Sequence, residues 1–158
     1  AGAMYWTWEL GNDGGFGWVK HPFSGSPLYG VSGAGGAGGA GGAVYVSRQV
    51  SGASRGVLRL VEDGGLEEEP TSPGTDVWDL WVSSDGGHVF GIESGGGIAH
   101  RRPDGTWHEL FPPELGSYDL NAIYGQNGGD LWVVGQATEF AQQNGLTGGI
   151  VAHLKFNP

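Results

Sequence analysis

Residues 120–153 read LNAIYGQNGGDLWVVGQATEFAQQNGLTGGIVAH, and the fold is legible from this stretch outward. It contains short apolar runs at 120–124, 131–134 and 150–154, each bounded by Gly, Asn, Asp or Gln. Runs of this length, rich in Val, Ile, Leu and aromatics, are strands between turns and are too short for helices. The pattern recurs. Residues 79–100 read DLWVSSDGGHVFGIESGGGIAH, with Gly86-Gly87 matching Gly128-Gly129 and the run ending at His100 matching the run ending at His153. Residues 28–60 hold a third copy, with Val44-Tyr45-Val46 as its second run and Val57-Leu58-Arg59-Leu60 as its third. Copies of one all-β unit make a repeat protein.

The N-terminal piece, residues 4–23, reads as the tail of such a repeat. Tyr5-Trp6-Thr7-Trp8-Glu9 alternates, Asn12-Asp13-Gly14-Gly15 turns, and Trp18-Val19-Lys20 begins the next strand. The same order returns at 98–112, where Asp104-Gly105 is the turn. Asp-Gly is a strong hairpin signal because both residues accept positive φ. With the strands of a repeat called a to d, the chain reads c–d, two full sets a–b–c–d, then a–b–c. That predicts thirteen strands and no helix of useful length.

Two stretches interrupt the repeat. Residues 33–43, GAGGAGGAGGA, carry no side chain beyond a methyl and are expected to form a flexible loop that buries no apolar area. Residues 62–75, EDGGLEEEPTSPGT, are acidic and Pro-containing, which suits an exposed outer edge strand and its following loop.

Four short strands per repeat, Asp-Gly hairpins and a recurrent Trp resemble the blades of a β-propeller. The form Leu-x-Ala-Ile-x-Gly, Gly-Asp-Leu-Trp-Val-Val-Gly and Gly-Ile-Val-x-His at 120–153 is similar to bacterial propellers of the Asp-box and photosystem-assembly-factor-like kind. Arg102-Pro103-Asp104-Gly105-Thr106-Trp107 is similar to an Asp-box turn without its leading Ser or Thr. The resemblance implies an all-β, β-propeller-type domain over residues 1–158, with about three four-stranded antiparallel blades and incomplete terminal ones. Its pieces are a partial blade at 4–23, blades at 28–70 and 77–112, and a partial blade at 120–156. Propellers close with 4–8 blades, so three would leave apolar faces and a sheet edge open. The chain is therefore expected to be one piece of a longer propeller, or to have its ring completed by self-association or a partner chain, and deletion of residues 1–23 is expected to abolish that assembly.

Composition narrows the function. A net charge of −10, with 7 Lys and Arg against 17 Asp and Glu, disfavours nucleic acid and anionic membrane surfaces. No apolar run reaches the ~18 residues of a membrane span. The absence of Cys removes disulfides and thiolate chemistry. It leaves the compartment open, and an extracellular or periplasmic one is favoured. His100 and His153 hold matching places, with Arg59 in the third copy. Equivalent positions in different blades usually lie far apart, so no metal site and no cofactor are expected.

Asp79, Asp85, Glu93, Asp104 and Glu109 supply carboxylates for a glycan-active hydrolase, which needs a pair about 5–10 Å apart. No particular pair is singled out, and no catalytic residue is assigned. Seven Trp in 158 residues exceed what packing alone requires. Trp81 and Trp132 are expected in blade cores. Trp6, Trp8, Trp78 and Tyr118 are the candidate ligand-binding residues, for a protein-interaction module or a carbohydrate-binding lectin that stacks sugar faces on the rings.

Overall fold

The computed structural model describes residues 3–10, 16–23, 27–34, 42–51, 54–61, 65–70, 76–127 and 129–156. Its strands form four antiparallel sheets in chain order. β1 (Ala3–Leu10) pairs with β2 (Phe16–Phe23). The next sheet runs β3 (Leu28–Gly33), β4 (Val44–Ser51), β5 (Ser54–Leu60) and β6 (Leu66–Glu69). It is followed by β7 (Val77–Val82), β8 (Val89–Glu93), β9 (Ile98–Arg101) and β10 (Trp107–Leu110). The last sheet holds β11 (Tyr118–Asn127), β12 (Asp130–Ala137) and β13 (Gly149–Lys155). The fold is all-β and propeller-type, with incomplete terminal sheets.

The hairpins are built by the turn residues. Between β7 and β8, Asp85 accepts from Ser83 Oγ at 2.5 Å and Gly87 N at 3.0 Å, while Gly86 takes φ 71°. Between β9 and β10, Asp104 accepts from Thr106 N at 2.9 Å and Thr106 Oγ1 at 2.6 Å, with Gly105 at φ 87°. These bonds hold both carboxyls below the usual Asp range, the side-chain hydroxyl being the larger cause in each.

Alternation along each strand then sorts side chains onto two faces. The β3–β6 sheet contributes Tyr45 and Val57 to a core shared with Val77, Leu80, Val82, Val89, Ala99 and Trp107 of the β7–β10 sheet. The opposite face of that second sheet contributes Phe90, Ile92 and Ile98 to another core, shared with Leu120, Ile123, Leu131 and Val133 of the β11–β13 sheet. The first strands β3, β7 and β11 lie side by side in that order. Ser32 Oγ accepts from Val82 N at 3.1 Å, and Asp79 Oδ2 accepts from Ile123 N at 3.1 Å. Ser47 Oγ accepts from Gly30 N at 2.8 Å and donates to Trp78 O at 2.9 Å. Further out, Glu69 on β6 binds Arg101 on β9 at 2.5 Å, and Arg101 lies over the Tyr45 ring.

Three differences from the sequence reading concern connections and faces. The glycine-rich loop does not stand wholly apart from the core: Ala34 N donates to Ala43 O at 3.0 Å, and both methyls pack on the first core. Its interior, residues 35–41, lies outside the described residues. A short helix, α1 (Glu139–Gln143), stands in the β12–β13 connection, where Thr138 Oγ1 caps it by accepting from Ala141 N at 3.2 Å. Trp132, expected in a blade core, is 44 % exposed, because nothing described covers its face of the last sheet.

Candidate binding surfaces

Two surfaces stand out. One is a groove where the inner strands of the second and third sheets meet. Trp78 lies near the start of β7, and Asp119, Leu120 and Asn121 near the start of β11. Gln136, the register partner of Asp119 on β12, completes a cavity of about 330 Å³. Trp78 is 39 % exposed. A flat aromatic, a carboxylate and two primary amides together can stack on a ligand and exchange hydrogen bonds with hydroxyls or peptide groups.

The other surface is the outward face of β11–β13. Registers place Tyr124, Trp132 and His153 in one row across the three strands, and Ala122, Val134 and Val151 in the next. Tyr124 is 63 % exposed and Val151 70 %. The matching row of the second sheet is Trp81, Phe90, His100 and His108, and that of the first is Ser32, Tyr45, Arg59 and Glu67. Those rows turn towards the following sheet, and Tyr45 and Phe90 are buried there. The third sheet presents the same face to solvent.

The candidate residues fall in different places. Trp78 lines the groove. Tyr118, one residue before Asp119 in the chain, is half-buried against the second core and is not among the groove's lining residues. The side chains of Trp6 and Trp8 lie outside the described residues. Sequence reasoning missed Asp119, Asn121 and Gln136, since no local pattern sets them beside Trp78.

The two matched histidines have different partners. His100 shares a hydrogen bond of 2.9 Å with His88, whereas His153 binds Asp130 at 3.0 Å. Among the described residues no three His, Cys, Asp or Glu side chains are grouped to hold a metal. Glu93 is 5 % exposed, and burial, followed by the charge of Glu109, raises its pKa to about 7. Such a value suits a general acid, but this carboxyl is enclosed, with Gly97 and Phe111 packed in the same place.

Sheets packed face to face with their first strands adjacent define a protein of the β-propeller class. No family model matches the sequence, and no curated protein matches it. Two similar solved structures bear out the fold. One is described as YCF48 bound to D1 peptide, with a TM-score of 0.54 and 17 % identity, covering 76 % of this chain and 37 % of that one. The other is selenomethionine-substituted virginiamycin B lyase from Staphylococcus aureus, with a TM-score of 0.54 and 18 % identity, covering 99 % of this chain and 46 % of that one. The chain spans less than half the length of either.

Proposed function

We propose that this chain is a non-enzymatic protein-interaction module of propeller type, one domain whose open stack is completed by a partner chain or a second copy. The observation that carries this reading is the outward face of β11–β13. It repeats the aromatic rows that the neighbouring sheets bury, yet leaves Tyr124, Trp132, Val134 and Val151 exposed. At ~25 cal/mol per Å² of apolar surface, covering a few hundred Å² of such a face is worth several kcal/mol before association costs. The peptide named in the description of the YCF48 structure supports an interaction role. Sedimentation of the wild type and of a Tyr124→Ser/Trp132→Ser variant tests it. The wild type is expected to exceed the 16.4 kDa monomer at micromolar concentration and the variant to remain monomeric. A well-folded wild-type monomer would overturn completion by a second copy, and unchanged mass in the variant would overturn the assignment to this face.

The groove supports a second reading, carbohydrate binding. Trp78 offers a stacking ring and Asp119, Asn121 and Gln136 offer polar groups, as a lectin needs. Trp6, Trp8 and Tyr118 belong to this reading as further candidate contacts. A glycan array with the wild type and Trp78→Ala distinguishes the two: binding lost in the variant favours the lectin, and no binding excludes it.

A further inference from the structure

The first strand of the second, third and fourth sheets slips register by one residue near its start. Val77 pairs with Glu93 and Asp79 with Ile92, so Trp78 has no residue opposite it. Leu120 pairs with Gly135 and Ala122 with Val134, which leaves Asn121 in the same position. In β3 the slip falls between Leu28 and Val31 and takes in Tyr29. Such bulges bend a strand and re-aim a side chain, and they gather beside functional sites. Tyr29, Trp78 and Asn121 are all exposed. Where β7 meets β11, the two bulge residues Trp78 and Asn121 share the groove with Asp119 and Gln136.

Charge along these inner strands has one sign. β3, β7 and β11 carry Asp79 and Asp119 but no Lys or Arg, and all seven Lys and Arg of the chain lie on other segments. Asp79 is engaged by Ile123 N, whereas Asp119 lines the groove. The net charge of −10 has the same sign and favours the approach of a cation.

We propose that the groove takes an arginine side chain presented by a partner protein. This rests on the interaction-module reading and names the partner's chemistry at a site other than the open face. A guanidinium is planar, so it can lie over the indole of Trp78 and turn its N–H fork to the Asp119 carboxylate. The amide oxygens of Asn121 and Gln136 can accept from its remaining N–H groups. A lysine ammonium has no plane to stack, and a neutral sugar gains little from charge of one sign.

The probes are a blocked pentapeptide with arginine between two glycine pairs and its citrulline and lysine analogues. Titrated at millimolar concentration into the isotope-labelled full chain, the arginine peptide is expected to bind saturably. It should shift the Trp78 indole N–H and the amides of Asp119, Asn121 and Gln136. Citrulline keeps the shape without the charge and should bind about tenfold more weakly, with lysine in between. Asp119→Asn, which removes charge and keeps shape, should bring arginine down to the citrulline level and leave citrulline binding unchanged. Added salt should weaken only the charged peptides, and Trp78→Ala should weaken all three. Equal binding of arginine and citrulline, shifts away from the groove, or no binding would overturn the proposal. So would a neutral glycan held at Trp78 by a chain that ignores the arginine peptide, which would make the groove a sugar site. A wild-type chain that stays monomeric yet binds the arginine peptide would sink completion by a second copy and leave the groove assignment standing.

Discussion

Phe90 and Trp132 stand at the same place in consecutive sheets, and each stacks on the histidine directly across from it on the third strand. Phe90 lies 4.2 Å from His100 with ring planes 4° apart, and Trp132 lies 4.2 Å from His153 with planes 6° apart. Tyr45 and Arg59 hold the corresponding positions in the first sheet. The repeat therefore extends to pairs of side chains across strands. What differs is the layer above: Phe90 is fully buried and Trp132 is 44 % exposed.

That difference predicts unequal costs. Phe90→Ala should lower stability by about 3–5 kcal/mol, as for an aromatic removed from a core. Trp132→Ala should cost no more than about 1 kcal/mol in the unassociated chain. Urea unfolding of both variants below the association concentration checks the ratio, and equal losses would contradict the open face.

Asp79 is expected to couple the second and third sheets, because its carboxylate accepts from Ile123 N. Asp79→Ala leaves that donor without its partner and should cost about 1–3 kcal/mol. Asp79→Asn, which keeps an acceptor, should cost less. Thermal unfolding of the pair measures the gap.

Two buried groups give the pH dependence opposite limbs. Glu93 is raised to about 7 by burial first and then by the charge of Glu109. Its folded form holds the proton more tightly than the unfolded one, so its contribution is full below about 4.5 and is lost as pH rises through about 7. Glu93→Gln should therefore be more stable than wild type at pH 8, by roughly 1–3 kcal/mol. His100 is lowered to about 4 by burial, then by His88, Arg102 and His108. Its contribution is present above about 6.5 and is lost as pH falls through about 4. His100→Phe should flatten that acid limb and leave the upper one in place. Denaturant titrations from pH 3.5 to 8 read both.

The glycine-rich loop should tolerate shortening, provided its two ends are kept. Replacing residues 35–42 by Asn-Gly retains the Ala34–Ala43 bond and forms a two-residue hairpin. Stability should stay level or rise by about 1 kcal/mol through lower loop-closure entropy. Removing Ala34 and Ala43 as well should lower it, since both pack on the first core. Melting temperatures of the two deletions decide the point.

EDTA is expected to leave the melting temperature unchanged. A fall of several degrees on chelation would show that a metal binds the folded chain.

Strand positions, hairpins and the repeat were legible in the amino-acid sequence because their causes are local. Val44-Tyr45-Val46 and Leu131-Trp132-Val133 are short apolar runs of strand length, whose successive side chains alternate between two faces once extended, and Asp85-Gly86 and Asp104-Gly105 reverse the chain within a few residues. The same alternation states that a sheet has two faces without saying which one is covered. Phe90 and Trp132 sit in the same pattern, yet only the packing of whole sheets buries the first and leaves the second in water. Likewise Trp78 meets Asp119, Asn121 and Gln136, more than 40 residues away, only because β7 and β11 lie side by side. Ala34 and Ala43 reach the first core for the same kind of reason. Local chemistry sets the strand and the turn, whereas burial and site geometry depend on contacts between residues remote in the chain, which only the tertiary arrangement decides.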